Sequence, residues 1–372
     1  METEYTIRPI HGGNLTWAAA VAGCSPDLLL DFSASISPLG PPPSVLEAIQ
    51  TGVGALRHYP NPSYLDLRQR LSAVHNIAVD WILPGNGSAE LLTWACREFA
   101  NCDVTYLPTP AFGDYLRGLR AFGASVVDHP LLLQEAWLTA QELASGLMDQ
   151  VATRQQPKVG LLINTPHNPS GFLWSQEELL PLLEQFALVV VDEAFMDFLP
   201  PDQQESWIDW IPRYPNLVVL RSLTKFYSLP GLRLGYAIGH PDRLRRWQQW
   251  RDPWPVNGLA VEAAKAALQD KTFQQQTWNW LAIARPQLYT GLQAIPGLNP
   301  LPGVANYLLV RSDYSVPDLQ ESLLKEHRIF IRDCLSFPEL GDRYFRVAVR
   351  TVEENQRLIE GLTAIVRNRT SS

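Results

Sequence analysis

The sequence predicts an α/β protein, a mostly parallel sheet covered by helices on both faces, with a second and smaller α+β lobe. From about residue 80, short continuous apolar runs alternate with amphipathic stretches, the pattern of strands buried on both faces. After about residue 255 the texture changes to a long helical region followed by isolated short strands. At 372 residues the chain also exceeds what one apolar core covers, since single cores stop growing at roughly 250–300 residues.

The first forty residues read as loop and end in the stiff, extended Pro38-Leu39-Gly40-Pro41-Pro42-Pro43. Ser44, with Glu47 three residues on, has the capping-box pattern and predicts a helix beginning there. A second helix is expected over 64–73. Strands are predicted at 103–107, 125–127, 159–163, 187–191 and 217–220, with helices near 90–99, 111–122 and 176–186. A single long helical region over 258–292 precedes strands at 306–310, 330–332 and 345–349. A large domain is therefore expected over 44–255. The small one combines 1–43 with 256–372, the N-terminal arm joining the C-terminal lobe.

Hydrophobic content of 46% and charged content of 18% describe an ordinary globular protein and exclude a disordered one. A net charge of −8 argues against a nucleic-acid surface, though a local pocket can still be cationic. Cys24, Cys96, Cys102 and Cys334 show no CxxC spacing and no neighbouring histidine, so packed, reduced thiols are expected and no metal site. No apolar run approaches the ~20 residues that span a bilayer. The opening METEYTIRPIHGG lacks a signal-peptide plan, and a cytoplasmic location is expected.

Parallel sheets bind ligands beyond the carboxyl ends of their strands, and four post-strand segments carry chemistry. Pro84-Gly85-Asn86-Gly87-Ser88-Ala89-Glu90 is a glycine-containing turn opening a helix, able to cradle a phosphate; alone it reads equally as a structural turn. Asn164-Thr165-Pro166-His167-Asn168-Pro169-Ser170-Gly171 fixes the backbone so that Asn168 can face a cleft, or is simply a turn. Val191-Asp192-Glu193 ends a buried strand in a carboxylate, which is costly unless a cation meets it. A protonated pyridine nitrogen is a simpler partner than a metal, given no ligand cluster nearby. Ser222-Leu223-Thr224-Lys225 puts a lysine among hydroxyls, with Arg233 in a glycine-flanked segment after it. That set suits an imine plus a phosphate clamp.

With these four segments the chain resembles the fold-type-I pyridoxal-phosphate (PLP) enzymes from about Asp31 to Arg350. The resemblance implies the aspartate-aminotransferase-like fold, with Lys225 as the Schiff-base lysine and Asp192 as the pyridine-nitrogen partner. Asn168 then donates to the ring 3-hydroxyl oxygen, and Gly87, Ser88, Ser222, Thr224 and Arg233 hold the phosphate. Phe112 matches the aromatic stacked on the ring. Tyr59 matches a tyrosine reaching the phosphate of a neighbouring subunit, which implies a homodimer.

Two subfamilies fit an anionic, phosphorylated substrate: histidinol-phosphate aminotransferases and the threonine-phosphate decarboxylases of cobalamin biosynthesis. The chain looks like the decarboxylases in His11-Gly12-Gly13-Asn14, Leu30-Asp31-Phe32-Ser33-Ala34, Asp192-Glu193-Ala194-Phe195-Met196-Asp197-Phe198 and Arg221–Tyr227. It does so again in Pro253-Trp254-Pro255-Val256-Asn257, Ala305-Asn306-Tyr307-Leu308-Leu309 and Tyr344-Phe345-Arg346-Val347-Ala348-Val349-Arg350. Phe195 stands where aminotransferases usually carry a tyrosine. Arg332 and Arg346 are the expected substrate anchors, since guanidinium forks match carboxylates and phosphates. The candidates are Arg346 for the carboxylate and Arg332, with His11 and Asn14, for the phosphate, the reverse pairing of the two arginines staying open. His11 could instead merely tie down the arm. The chain departs from the family pattern at Ser35, Ser37 and His167, where asparagines are usual. Ser37 falls where an asparagine would approach substrate, which leaves serine phosphate open as an alternative.

Overall fold

The computed structural model describes residues 8–133, 136–153 and 158–370. Residues 1–7, on which the N-terminal leader reading partly rests, lie outside the described residues. The chain forms two compact units, one of Leu39–Asn168 with Leu173–Thr277, the other of Met1–Pro38, Pro169–Phe172 and Trp278–Ser372.

The larger unit is built on a seven-stranded sheet, in the order Ile82–Asn86, Leu234–Gly239, Leu217–Ser222, Leu188–Asp192, Val159–Asn164, Val104–Thr109, Val126–Pro130. Leu234–Gly239 runs antiparallel to both its neighbours; the pairings from Leu217–Ser222 to Val126–Pro130 are parallel. Helices cover the sheet, and Leu91, Ala95 and Phe99 of helix Gly87–Phe99 pack into its core against Leu220 and Ala237. All five strands expected here are present, and the central four are buried along their whole length. Ile82–Asn86 and Leu234–Gly239 were not expected, because their glycines read as turns. The reason for one of those glycines is a close approach: a Cβ on Gly235 would lie 2.4 Å from the Ser88 nitrogen.

Ser44 does not cap a helix. Pro43 begins the helix Pro43–Gly52 one residue earlier, its fixed φ suiting the first helical position. Ser44 Oγ instead donates to Asp270 Oδ2 at 2.6 Å. Asp270 divides the expected long helix into Gly258–Gln269 and Lys271–Gln293, its Oδ1 accepting from the Phe273 nitrogen at 2.9 Å. The helix expected near 176–186 is likewise split into Gln176–Leu179 and Leu182–Gln185, at Pro181.

In the smaller unit a four-stranded antiparallel sheet runs Leu298–Pro300, Tyr307–Ser312, Tyr344–Ala348, Arg332–Asp333. Leu30–Asp31 pairs in parallel with Ile329–Phe330. The arm also forms a helix, Leu15–Ala22, whose Trp17 packs on Phe330 with ring centroids 5.8 Å apart. Cys96 and Cys334 are buried, and none of the four cysteines is in a disulfide. Among the described residues no helix is long and apolar enough to cross a membrane.

Candidate active site

In the larger unit the strands end where the chemistry-bearing residues begin. Asp192 closes the strand Leu188–Asp192 and Ser222 closes Leu217–Ser222. The register Asp192↔Leu220 and the alternation of side chains along a strand put Asp192 and Ser222 on one face of the sheet. Beyond Ser222 the backbone turns, and Lys225 Nζ donates to Ser222 Oγ at 3.2 Å. Ser222 Oγ and Thr224 Oγ1 are 2.8 Å apart. The Phe195 ring centroid lies 5.9 Å from Lys225 Nζ.

Asp192 accepts from the Ala194 nitrogen at 2.9 Å and from Tyr115 Oη at 2.8 Å. Burial pushes its carboxyl above the usual range, against the Tyr115 bond, the Lys225 charge and the Ala194 bond, which lower it. Tyr115 is the site residue that the sequence reading missed. It is buried, edge-on to Phe112 with centroids 5.5 Å apart, and nothing in the sequence separates it from a core aromatic. A hydrogen bond to a charged group contributes about 1.5–3 kcal/mol. Tyr115→Phe is therefore expected to lower kcat roughly tenfold, read in steady-state kinetics of the cofactor-loaded protein.

Gly87 opens the helix Gly87–Phe99 at φ +75°, a left-handed conformation natural to glycine. Asn86 gives the helix no side-chain cap; Glu90 reaches back to the Asn86 nitrogen at 2.7 Å. The first-turn N–H groups, Ser88's included, and the helix dipole together suit an anion. Arg233, itself at φ +57°, is exposed, and its Nη2 lies 2.7 Å from where a Gly87 Cβ would be. Gly87→Ala would both strain the backbone and displace that guanidinium. We expect it to weaken cofactor phosphate binding about tenfold, equivalent to about 1.4 kcal/mol, measured by fluorescence titration.

Asn168 is buried at 8% exposure. His167 beside it is also buried, with Nε2 3.1 Å from the Pro110 carbonyl oxygen, and its ring is flanked by Trp137 and Trp174. Burial lowers its pKa to about 3, which keeps the ring neutral.

Taken together, the larger unit offers a buried carboxylate that forms no ion pair among the described residues, a lysine among hydroxyls, and an uncapped helix start beside an arginine. That donor set fits a cofactor with a basic ring nitrogen, an aldehyde and a phosphate, as pyridoxal phosphate has.

In the smaller unit Arg332 and Arg346 lie directly opposite each other on paired antiparallel strands. The Arg346 guanidinium sits 4.9 Å from the Tyr307 ring centroid. Burial lowers the pKa of each, and like charges directly opposite are unfavourable. An anion between them would relieve both costs. Arg332 also donates to Ser336 Oγ at 2.6 Å, to the Pro9 carbonyl at 3.3 Å and to the Ile10 carbonyl, so it fastens the arm that carries His11. His11 is exposed. Asn14 Oδ1 caps helix Leu15–Ala22 by accepting from the Trp17 nitrogen at 3.0 Å, a structural use of that side chain. Ser37 is buried at 3% exposure.

Tyr59, back in the larger unit, is 79% exposed and stacks on Trp254 at 4.5 Å. With the exposed apolar Leu56 and Leu65 it lines a groove of about 640 Å³.

A model of the aminotransferase class I and II family matches residues 28–362. The chain belongs to that family. Within it, this class I and II member is 38% identical over 368 residues to threonine-phosphate decarboxylase of Salmonella typhimurium, covering 96% of both chains. It is 33% identical over 345 residues to histidinol-phosphate aminotransferase of Symbiobacterium thermophilum, covering 90% of each. Its fold matches the crystal structure of L-threonine-O-3-phosphate decarboxylase from Porphyromonas gingivalis with a TM-score of 0.78 at 25% identity, over 90% of this chain and 99% of that one.

Proposed function

We propose that the protein is a PLP-dependent decarboxylase that converts L-threonine O-3-phosphate into (R)-1-amino-2-propanol O-2-phosphate and CO2 for cobalamin biosynthesis. The observation that carries this reading is the facing Arg332–Arg346 pair, one buried and one half-buried cationic fork for a substrate with two anionic groups. The 38% identity with a threonine-phosphate decarboxylase over nearly the whole chain favours decarboxylation over amino transfer.

When bound, pyridoxal phosphate supplies the electron sink that makes a bond at the substrate's Cα breakable. The protein's residues then divide the work. Asp192 holds the ring nitrogen protonated, with Tyr115 keeping its carboxylate anionic. Asn168 donates to the ring oxygen, Phe112 supports the ring, and Gly87, Ser88, Ser222, Thr224 and Arg233 hold the cofactor phosphate. Arg346 orients the substrate carboxylate for departure. Arg332 binds the substrate phosphate, with His11 and Asn14 in support, and Ser37 borders the substrate side chain. After CO2 leaves, Lys225 Nζ delivers the proton to Cα.

We also propose a cytoplasmic homodimer in which Tyr59 reaches the neighbouring subunit's cofactor phosphate. The exposed tyrosine lining that groove supports this, and sedimentation equilibrium of the loaded protein tests it. A monomer that retains cofactor fully would overturn it.

The function is tested by giving the purified, cofactor-loaded protein threonine phosphate, with and without 2-oxoglutarate. Stoichiometric CO2 release without glutamate is expected. Glutamate formation without CO2 would instead establish the amino-transfer reading, which the histidinol-phosphate aminotransferase relative favours. Serine phosphate run in parallel compares the side-chain alternatives.

A further inference from the structure

On the face of the sheet opposite Asp192 and Ser222 lies an ionic cluster that the mechanism above does not use. Arg221 is fully buried on the strand Leu217–Ser222. Its Nε meets Glu193 Oε2 at 2.8 Å and its Nη1 meets Asp197 Oδ1 at 2.6 Å. Its Nη2 donates to Ser206 Oγ at 2.9 Å. Glu193 is itself held, accepting from Ser206 Oγ at 2.8 Å and from the Trp207 nitrogen at 2.7 Å. One guanidinium fork thus joins the ends of two neighbouring strands, the turn through Asp197 and the loop at Ser206. Glu193 adjoins Asp192 and Arg221 adjoins Ser222 in the chain, so each ionic partner is one backbone step from a residue on the reactive face.

We propose that Arg221 is a positioning residue, which fixes the spacing of Asp192 from the Ser222–Lys225 segment by tying their strand ends together from behind. The inference rests on the reading that Asp192 and Lys225 serve the cofactor. Arginine is required because its planar fork reaches two carboxylates and a hydroxyl at once; a lysine keeps the charge but cannot bridge them. Displacements of the order of 1 Å at a reacting centre cost up to about a hundredfold in rate.

The test compares wild type, K225A, R221K and the isosteric E193Q. Apoprotein melting, the visible circular dichroism of the bound cofactor band, kcat and KM are measured for each. R221K is expected to unfold cooperatively, as the wild type does. Its visible dichroism per bound cofactor should be altered and its kcat lowered about tenfold or more, with KM little changed. E193Q should show the same signature more weakly. Wild-type dichroism and kcat in a folded R221K, with only the melting temperature lowered, would overturn the proposal, and so would they in E193Q if R221K does not fold. Absence from the wild type of a band that K225A removes would overturn the cofactor reading as well, which sets that failure apart.

Discussion

Lys225→Ala is expected to remove the visible absorbance band of the cofactor-loaded protein and to lower kcat at least roughly 10³-fold. In the proposed mechanism the side chain has two separate duties at one atom: Nζ holds the cofactor covalently, and it returns a proton to Cα. Its surroundings suit both, since Ser222 Oγ accepts from it at 3.2 Å while the Phe195 ring at 5.9 Å offers no competing acid. Added methylamine should restore part of the rate, because a small free amine can take up the proton transfer. Residual kcat within tenfold of the wild type would sink the assignment of Lys225.

Asp192→Asn is expected to change stability and activity in opposite directions. Burial raises the Asp192 carboxyl pKa, so the folded protein binds that proton more tightly than the unfolded chain does. An acid with a raised pKa withdraws stability as pH climbs past its unfolded value of about 4. Above that value the apoprotein carries this cost, and asparagine removes it. The amide keeps the Ala194 bond and can still meet Tyr115. The apo-variant should therefore melt at or above the wild type near neutrality, and the difference should shrink as pH falls toward about 4. Catalysis should fall roughly 10²–10³-fold, because a preorganised charge opposite the developing one is lost. Thermal melts of apoprotein across pH, beside kcat of the loaded enzyme, check both halves. A destabilised apo-variant with normal kcat would contradict both.

The fold was legible where two-sided burial left continuous apolar runs. Runs such as 188–191 and 217–220 are apolar throughout because helices cover both faces of the sheet. Ile82–Asn86 and Leu234–Gly239 were not legible. Gly235 is there for close backbone approach, which looks like a turn in sequence. Ser44 misled because its hydroxyl answers a distant partner, Asp270, instead of the local helix. The residue types of the candidate site could be read from their positions just after strands. Tyr115 and Arg221 could not, since their partners lie in remote segments. Asp192 is 77 residues from Tyr115, and the contacts of Arg221 are spread over Glu193, Asp197 and Ser206.

The edge strand Ile82–Asn86 has one neighbour in its sheet, Leu234–Gly239, roughly 150 residues further along. During translation the early strand and the glycine turn beyond it have nothing to pair with until that later segment leaves the ribosome. At about 5–20 residues per second the wait is roughly 8–30 s. The glycine turn and the lysine segment thus come together only after some two-thirds of the chain has been made. On the proposed site, a nascent chain shorter than this has no place to hold a cofactor, so loading would follow synthesis of the larger unit and not guide its first steps.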